Sequence, residues 1–326
     1  MGKRVSVLSS EFDATFTTLS RDFGDRVERA AALSQFTTYR LGGPAEILVR
    51  VRNVGELGLL AAALEANPSV PILVIGRGSN LVVADAGVSA VVVILEGDFE
   101  KVEIVGESVT AGAGVPLPVL ARRCAAAGLS GLEFYVGIPG SIGGAVRMNA
   151  GGHGRSTSEV LRSAVVADIS NSGAVSERSV ESLGLEYRGS ALGGMEIVCS
   201  ASFDLARDEP VACEERLSEI VRWRRENQPG GANAGSVFRN PEGDSAGRLI
   251  ESCGLKGLRI GGVHVSEKHA NFIQADTEAT ASDLAELVSE IQRRVFEETG
   301  VRLETELHWV GFSKIADEGD SSEAMQ

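Results

Sequence analysis

The segment GIPGSIGGAVRMNAGGHG, residues 137–154, contains seven glycines among eighteen residues, yet apolar side chains run through it. A flexible linker would be rich in Gly and Ser and otherwise polar, whereas Ile138, Ile142, Val146 and Met148 indicate a packed segment. Glycine is favoured where the backbone takes unusual torsion angles or comes close to a ligand. The stretch therefore predicts a fold in which backbone passes close to a flat or anionic group.

A second glycine turn lies about sixty residues earlier, in VIGRGSNLVV at residues 74–83. Gly76 and Gly78 allow a tight turn after a buried strand, and Ser79 and Asn80 add side-chain donors. Backbone N–H groups in such a turn suit a pyrophosphate. The pattern is not a G-x-G-x-x-G that opens a helix, which disfavours a Rossmann site. For residues 74–83 alone, the alternative to a ligand-binding turn is a plain β-turn. For the two glycine-rich segments together, the alternative is a glycine-rich structural corner. Two donor-rich turns together favour an elongated ligand with a diphosphate and an aromatic ring, such as a flavin dinucleotide.

The composition limits the classes of protein that fit. The 326 residues are enough for about two domains, and 43% apolar and 23% charged residues are typical of soluble globular proteins. The net charge of −14 disfavours a nucleic-acid or anionic-membrane surface. No apolar run reaches the roughly 20 residues of a membrane span. The four cysteines and four histidines are scattered, which disfavours disulfides and a metal site and favours a cytoplasmic protein.

Hydrophobic periodicity predicts a mixed order of helices and strands. Residues 1–22 show no clear period, and 21–43 read as a short helix followed by an extended segment. A capping box of Asn53 and Glu56 predicts a helix start, and another of Thr280 and Asp283 predicts the clearest helix of the chain. The acidic tail from residue 313 is expected to be disordered. Further strands are predicted at 45–51, 71–76, 89–95, 101–105, 108–114, 163–169 and 301–311, and further helices at 116–127 and 214–225.

Four short segments outside the glycine turns carry side chains that could do chemistry. Ser236 stands in the turn-rich NAGSVFRNP; with no His nearby it does not indicate a nucleophile, although a Ser can donate a proton to a carbanion. The alternating LETELHWVG places Glu306 on a polar face. Arg188 follows Tyr187 in LEYRG, and Lys268 and His269 lie in HVSEKHANFI. Taken one at a time, each has an ordinary alternative: a turn serine, a solvated face, a surface arginine and a polar loop.

In order along the chain, these segments resemble the MurB family of UDP-N-acetylenolpyruvoylglucosamine reductases. The resemblance runs from FTTYRLGGPAEI, which begins at Phe36, to VRLETELHWVG, which ends at Gly311. Each motif alone is moderately specific, and five in the right order are strongly so. The motifs that carry the resemblance are GRGSNLVV, GLEFYVGIPGSIGGAVRMNAG, AGSVFRNP, VSEKHANFI and LETELHWVG.

The resemblance implies an α+β fold, with an FAD-binding region of the p-cresol-methylhydroxylase-like type and a C-terminal α+β substrate-binding domain. It implies that NADPH reduces non-covalent FAD, which then reduces the enolpyruvyl ether of the sugar nucleotide in peptidoglycan precursor synthesis. By similarity, Arg188 and Glu306 stabilise the enol form and Ser236 protonates C2. The planar guanidinium of an arginine suits the substrate carboxylate. A preorganised charged group stabilises a reaction most at the atoms where charge develops in the transition state.

The same similarity assigns the remaining site residues. Asn149 and Ala150 are expected near the isoalloxazine, and the other turn on the diphosphate. The cofactor-binding residues implied are Gly76, Arg77, Gly78, Ser79, Asn80, Leu81, Gly137, Ile138, Pro139, Gly140, Ser141, Gly143, Gly144, Asn149, Ala150 and Gly151. The substrate-binding residues implied are Asn240, Arg224, Arg225, Lys268 and His269.

The expected organisation is an N-terminal extension (1–22), an FAD-binding region (23–207, with lobes of about 23–85 and 86–207), a substrate-binding domain (208–312) and the tail, in a monomer. The sequence departs from the family in two ways. Asn227 stands where many relatives have Lys. Arg224 or Arg225 is therefore expected to make the contact with the anionic diphosphate or the NADPH phosphates. Only about fifty residues separate Arg188 from Ser236, so the shorter family form without a lid Tyr is expected.

Two other functions remain open at this point. One is a flavoprotein oxidase of the wider cresol-hydroxylase-like group, some of which bind flavin covalently through His or Cys. The other is a nucleotide-binding scaffold without activity. The joint presence of Arg188, Ser236 and Glu306 argues against the scaffold.

Overall fold

The structure, a computed structural model, describes residues 2–312 and the side chains from residue 9 onward. The acidic tail that was predicted to be disordered, 313–326, lies outside the described residues. Three groups of elements follow one another along the chain, and apolar clusters lie both within these groups and between them.

An N-terminal helix, α1 (Gly2–Phe23), covers the first sheet. The sequence analysis found no period in residues 1–22, and that reading was wrong: Phe12, Leu19 and Phe23 are buried at helical spacing against the sheet. Ser and Thr residues between these positions dilute the apolar pattern. The predicted short helix after residue 21 was also wrong. Gly24, at φ +63°, ends α1, and a 3-10 turn and a strand follow.

The first lobe is a four-stranded sheet in the order β1-β2-β5-β3, in which β2 and β3 both run parallel to β5. The predicted strand at 45–51 and the predicted helix after it are confirmed. Asn53 Oδ1 accepts a hydrogen bond from Glu56 N at 3.0 Å, which is half of the predicted cap. The elements are β1 (Val27–Arg29), β2 (Ala45–Val51), α2 (Val54–Glu65), β3 (Ile72–Val74), β4 (Leu81–Val83) and β5 (Val88–Leu95).

The second lobe is a five-stranded antiparallel sheet in the order β12-β11-β13-β7-β6. Helix α5 buries Cys213 and Leu217 in the same core as α3 and this sheet. The predicted boundary at residue 208 would place this helix in the substrate-binding domain, whereas the helix packs on the lobe that precedes it. The boundary itself stays a prediction. The elements are β6 (Val102–Val105), β7 (Ser108–Gly112), α3 (Leu117–Ala126), β8 (Leu129–Ser130), α4 (Ile142–Arg147), β9 (Gly151–Gly152), β10 (Arg155–Ser156), β11 (Leu161–Asp168), β12 (Ala174–Ser179), β13 (Glu196–Asp204), β14 (Ala206–Arg207) and α5 (Pro210–Asn227).

The C-terminal unit packs a small meander, β15-β16-β17, against a long helix. The predicted capping box is confirmed: Asp283 N donates to Thr280 Oγ1 at 3.0 Å, and Thr280 N donates to Asp283 Oδ2 at 3.1 Å. The strand predicted at 301–311 is shorter, because only residues 308–310 pair as a strand. The elements are α6 (Ala246–Ser252), β15 (Arg259–Ile260), β16 (Val263–Val265), β17 (Ile273–Ala275), α7 (Ala281–Thr299) and β18 (His308–Val310).

A strand pairing and a helix cap are among the contacts that attach the C-terminal unit to the first lobe. Strand β18 runs parallel to β4, with His308 opposite Leu81, immediately after the first glycine turn. The carboxylate of Asp85 accepts hydrogen bonds from the N–H groups of Ala281 (2.8 Å) and Ser282 (2.9 Å) at the start of α7. These contacts bring the end of the chain to the glycine turn.

Candidate active site

The two glycine turns lie against each other. A Cβ on Gly76 would be 2.2 Å from Ser141 Oγ, and a Cβ on Gly140 would be 3.5 Å from Ser79 Oγ. Gly78 has φ +57°, and a Cβ there would lie 2.1 Å from the carbonyl oxygen of Phe36. The neighbouring backbone thus requires glycine at 78 before any ligand is considered, whereas an added Cβ at 76 would meet chiefly the hydroxyl end of the Ser141 side chain.

The turns leave a row of donors free. The backbone N–H groups of residues 76–80, and those of Gly140 and Ser141, donate to no acceptor in the described part of the chain. Beside them, Thr38 donates its N–H to Gly78 O at 3.3 Å, and its hydroxyl is buried without a partner among the described residues. A buried hydroxyl and converging N–H groups without acceptors are what an anionic group satisfies. The residues present therefore fit the diphosphate of FAD.

At other glycines of residues 137–154, neighbouring side chains leave little room for a Cβ atom. A Cβ on Gly143 would be 3.0 Å from that of Ala113, and a Cβ on Gly137 would lie 3.2 Å from His153 Nε2 and 3.3 Å from Arg224 Cδ. Gly151 belongs to the short hairpin of β9 and β10. The remaining predicted cofactor residues lie in these same two segments: Arg77, Leu81, Ile138, Pro139, Gly144 and Ala150.

Arg188 is presented by a two-residue turn. Glu186 N donates to Gly189 O at 3.1 Å, and Gly189 N donates to Glu186 O at 3.3 Å, so that Tyr187 and Arg188 are the central residues. Arg188 has φ +57°, a left-handed conformation that favours glycine and costs an arginine about 1–3 kcal/mol. Such strain persists only where the surroundings impose it, and it clusters at functional sites.

Asn149 holds this turn in place. It also has a positive φ, +40°. Its Nδ2 donates to Glu186 O at 3.0 Å, and its Oδ1 accepts from Ser158 N at 2.9 Å. The side chain that the resemblance placed near the flavin ring thus connects the glycine segment to the arginine turn, 37 residues further on.

Glu306 pairs with the arginine. Arg188 Nε donates to Glu306 Oε2 at 2.9 Å, and the hydroxyl of Tyr187 donates to Oε1 at 2.6 Å. The carboxylate side chain is only 8% exposed, so the alternative of a solvated face is wrong for Glu306, although Arg302 and Glu304 on the same face are exposed. Asn80 Nδ2 donates to the backbone oxygen of Glu306 at 2.8 Å, which ties this residue to the first glycine turn.

The serine loop lies beside the same strand. Glu306 N donates to Val237 O at 2.8 Å, and Phe238 forms an antiparallel bridge with Thr305. Ser236, which directly precedes Val237, is half-buried, and its hydroxyl donates to no acceptor in the described residues. The structure therefore brings the segments of Ser236, Arg188 and Glu306 together.

The predicted substrate residues separate into two groups. Lys268 Nζ donates to Arg225 O at 2.5 Å, and Arg224 lies half-buried against Gly137, where burial lowers the pKa of its guanidinium. These cations lie at the end of α5. By contrast, the side chains of Asn240 and His269 make contacts within the C-terminal unit.

The contacts of that second group are structural. Asn240 Oδ1 accepts from Ala246 N at 3.1 Å, at the start of α6. The ring of His269 packs edge-to-face on Phe272 at 4.7 Å between centroids, and burial lowers the pKa of the imidazole. Asn227, at the position of the family Lys, donates to Trp223 O at 2.8 Å within its own helix.

Sequence reasoning missed two site residues. Tyr187 binds Glu306, and its adjacency to Arg188 was the available signal. Arg147, in the glycine segment, donates to the backbone oxygen of Gly193 at 3.1 Å and so supports the loop after the arginine turn. Burial lowers the pKa of the Arg147 guanidinium. The sequence offered no signal for that contact, because a single Arg in a glycine-rich segment has no periodic partner.

Neither a membrane-spanning helix nor a metal cluster is found in the described part of the chain. None of its helices is long and apolar enough to cross a bilayer. Within residues 2–312, no group of three or more His, Cys, Asp or Glu residues is arranged to hold a metal ion.

Two family models match this chain. A family model described as an FAD binding domain matches residues 45–173, and one described as the C-terminal domain of UDP-N-acetylenolpyruvoylglucosamine reductase matches residues 227–310. The fold is therefore α+β, with an FAD-binding region of the p-cresol-methylhydroxylase-like type followed by a C-terminal α+β domain.

Relatives cover nearly the whole chain. The UDP-N-acetylenolpyruvoylglucosamine reductase of Paramagnetospirillum magneticum is 41% identical over 89% of this chain and 94% of its own length. That of Caulobacter vibrioides is 43% identical over 86% and 93%. The crystal structure of the Thermus caldophilus reductase (MurB) matches with a TM-score of 0.76 and 40% identity, over 87% of this chain and 99% of that one. The chain belongs to the UDP-N-acetylenolpyruvoylglucosamine reductase (MurB) family.

Proposed function

We propose that this chain is an FAD-dependent reductase that converts UDP-N-acetylenolpyruvoylglucosamine to UDP-N-acetylmuramate with NADPH, in peptidoglycan precursor synthesis. The observation that carries the proposal is the Arg188–Glu306 ion pair, which lies at a strained turn beside two donor-rich glycine turns. Four free cysteines, three of them buried, suit the reducing cytoplasm. We propose that the protein acts there as a monomer. Family membership favours this activity over the flavoprotein-oxidase and scaffold alternatives.

Arg188 is the proposed binding group for the substrate carboxylate. Its Nε is taken by Glu306, and its two terminal nitrogens have no hydrogen-bond partner in the described residues. A guanidinium fork binds a carboxylate through two parallel N–H groups. Glu306 keeps the guanidinium oriented and supplies the negative charge that balances it when the site is empty. Lys268 and the arginines at the end of α5 are the proposed contacts for the substrate diphosphate.

Bound FAD, reduced by NADPH, would supply the hydride to C3 of the enolpyruvyl group. The residues 76–80 and 140–141 would hold its diphosphate through their free N–H groups. As negative charge develops on the substrate carboxylate, the guanidinium of Arg188, held in a fixed position, stabilises that charge. Ser236 then donates a proton at C2, for which its hydroxyl is free of other hydrogen bonds in the described residues.

Stopped-flow measurement of the two half-reactions of Ser236→Ala tests the proposal. Reduction of the flavin by NADPH should keep its rate, because the serine acts only on the substrate. Reoxidation of the reduced flavin by the enolpyruvyl sugar nucleotide should slow by about 10²–10⁴-fold, the usual value of general acid catalysis.

Ser245→Ala is the matched control in the same part of the chain. Ser245 Oγ accepts from Arg248 N at 3.3 Å as the cap of α6, so its loss should cost about 1 kcal/mol of stability and change neither half-reaction. A slower flavin reduction with intact reoxidation in Ser236→Ala would show that the serine loop positions the nicotinamide instead. A wild-type protein whose reduced flavin the substrate cannot reoxidise would refute the function.

A further inference from the structure

The three tyrosines of the chain have very different surroundings. Tyr39 and Tyr135 are buried, with 1% and 0% exposure, whereas Tyr187 is 63% exposed. An exposed tyrosine usually turns its hydroxyl to water. That of Tyr187 instead donates to Oε1 of the almost buried Glu306 at 2.6 Å. Partial burial of the ring and the neighbouring carboxylate raise the pKa of Tyr187, so its hydroxyl keeps the proton that it donates.

We infer that Tyr187 is a positioning residue for reduction of the substrate: its hydroxyl holds one oxygen of Glu306 and so leaves the terminal nitrogens of Arg188 free for the substrate carboxylate. The inference rests on the proposed function, because it concerns the group that binds the substrate.

Among the described residues, Glu306 has as many hydrogen-bond donors around it as it has carboxylate oxygens. Glu306 has two oxygens, of which Arg188 Nε binds one at 2.9 Å and Tyr187 binds the other. A carboxylate beside a guanidinium prefers two parallel hydrogen bonds with it. Without the tyrosine hydroxyl, Oε1 has no other donor in the described residues and would turn toward a terminal nitrogen of Arg188. The arginine would then give its fork to Glu306, and the substrate would lose its partner.

The ring of Tyr187 has a second contact with the same group. The guanidinium carbons of Arg188 and Arg239 lie 5.3 Å and 5.8 Å from its centroid, within the range of cation–π attraction. Arg239 lies in the same segment, NAGSVFRNP, as Ser236 and pairs with Glu304 at 3.6 Å. Tyr187 therefore connects the arginine turn to the serine loop through its ring and to Glu306 through its hydroxyl.

Stopped-flow analysis of the FAD-loaded Tyr187→Phe protein tests the inference, since phenylalanine keeps the ring and removes only the hydroxyl. Reoxidation by a subsaturating concentration of the enolpyruvyl sugar nucleotide, at which binding of its carboxylate contributes to the rate, should slow about ten- to hundredfold, the effect of losing one hydrogen bond to a charged group. The rate of flavin reduction by NADPH should stay within twofold of wild type. A merely structural role would not separate the two half-reactions. Tyr187→Leu, which also removes the ring, should additionally weaken substrate binding.

Two comparisons make the test specific. In a Glu306→Ala background, adding Tyr187→Phe should change reoxidation less than twofold, because there is no carboxylate left to hold. Tyr135→Phe is the control: its hydroxyl donates to Thr157 Oγ1 at 2.9 Å in the core, so its loss should lower stability and leave both half-reactions unchanged. Equal slowing by Tyr187→Phe with and without Glu306 would overturn the inference, as would a wild-type reoxidation rate in the single variant. Failure of the wild-type protein to be reoxidised by this substrate would overturn the proposed function and this inference with it.

Discussion

Gly78 and Gly106 have nearly the same backbone conformation, with φ +57° and +63°, but very different surroundings. A Cβ on Gly106 would meet nothing within 4 Å, whereas a Cβ on Gly78 would lie 2.1 Å from Phe36 O and 2.8 Å from Thr37 Cα. Substitution by alanine at either position costs about 1–2 kcal/mol for the left-handed conformation. At Gly78 the segment of Phe36 and Thr37 must also move by about 1 Å, at a further cost of about 1–3 kcal/mol.

The movement should also damage the proposed FAD site. Thr38 N donates to Gly78 O at 3.3 Å, and the buried Thr38 hydroxyl stands beside the free N–H groups of the turn. We expect Gly78→Ala to lower the free energy of unfolding by about 2–5 kcal/mol and to weaken FAD binding at least tenfold. Gly106→Ala should lose only about 1–2 kcal/mol and bind FAD as the wild type does.

Urea denaturation of the apoprotein measures the first quantity, and titration of FAD, followed by quenching of flavin fluorescence, measures the second. Since the two variants share the conformational cost, their difference isolates the close contact with Phe36. Equal stability and equal FAD affinity of Gly78→Ala and Gly106→Ala would refute the idea that this contact shapes the cofactor site.

Three further outcomes are expected. Burial opposes ionisation of Asp85, but hydrogen bonds from Ser282 and Ala281 outweigh it and hold the pKa of the carboxyl below its usual value, so this side chain stabilises the fold at neutral pH. Asp85→Ala should therefore lower the free energy of unfolding by about 1 kcal/mol at pH 7. The difference from wild type in urea midpoints should shrink below about pH 4, where the carboxyl takes up a proton. A difference that is constant with pH would contradict this role. Cofactor released by heat should be FAD, with no yellow colour left on the denatured polypeptide; FMN alone, or covalently retained colour, would rule out the proposed cofactor. Gly76→Ala should destabilise the apoprotein and be partly rescued by Ser141→Ala, because its Cβ would lie 2.2 Å from Ser141 Oγ; additive effects in thermal melting would show that the two turns do not touch.

Local signals in the sequence were enough to determine much of the fold. The strand at 45–51, the helix after Asn53 and the helix at 281–299 with its cap all form as predicted. Each depends on neighbours within a few residues, through alternation, 3.6-residue periodicity or a capping side chain. The two glycine turns were recognisable for the same reason, and their order along the chain carried the family resemblance. Helix α1 was missed because its buried phenylalanines stand among Ser and Thr residues that weaken the apolar stripe.

The site itself was decided by contacts that no local pattern contains. Arg188 and Glu306 are 118 positions apart, and Asn80 reaches Glu306 across 226. Alternation put Glu306 on a polar face, but only the tertiary contacts with Arg188 and Tyr187 bury its carboxylate, whereas Glu304 on the same face is 75% exposed. Likewise, the left-handed conformation of Arg188 is imposed by the turn and by Asn149, not by the preferences of arginine. A sequence pattern states which side a residue faces, whereas the tertiary structure decides what lies on that side.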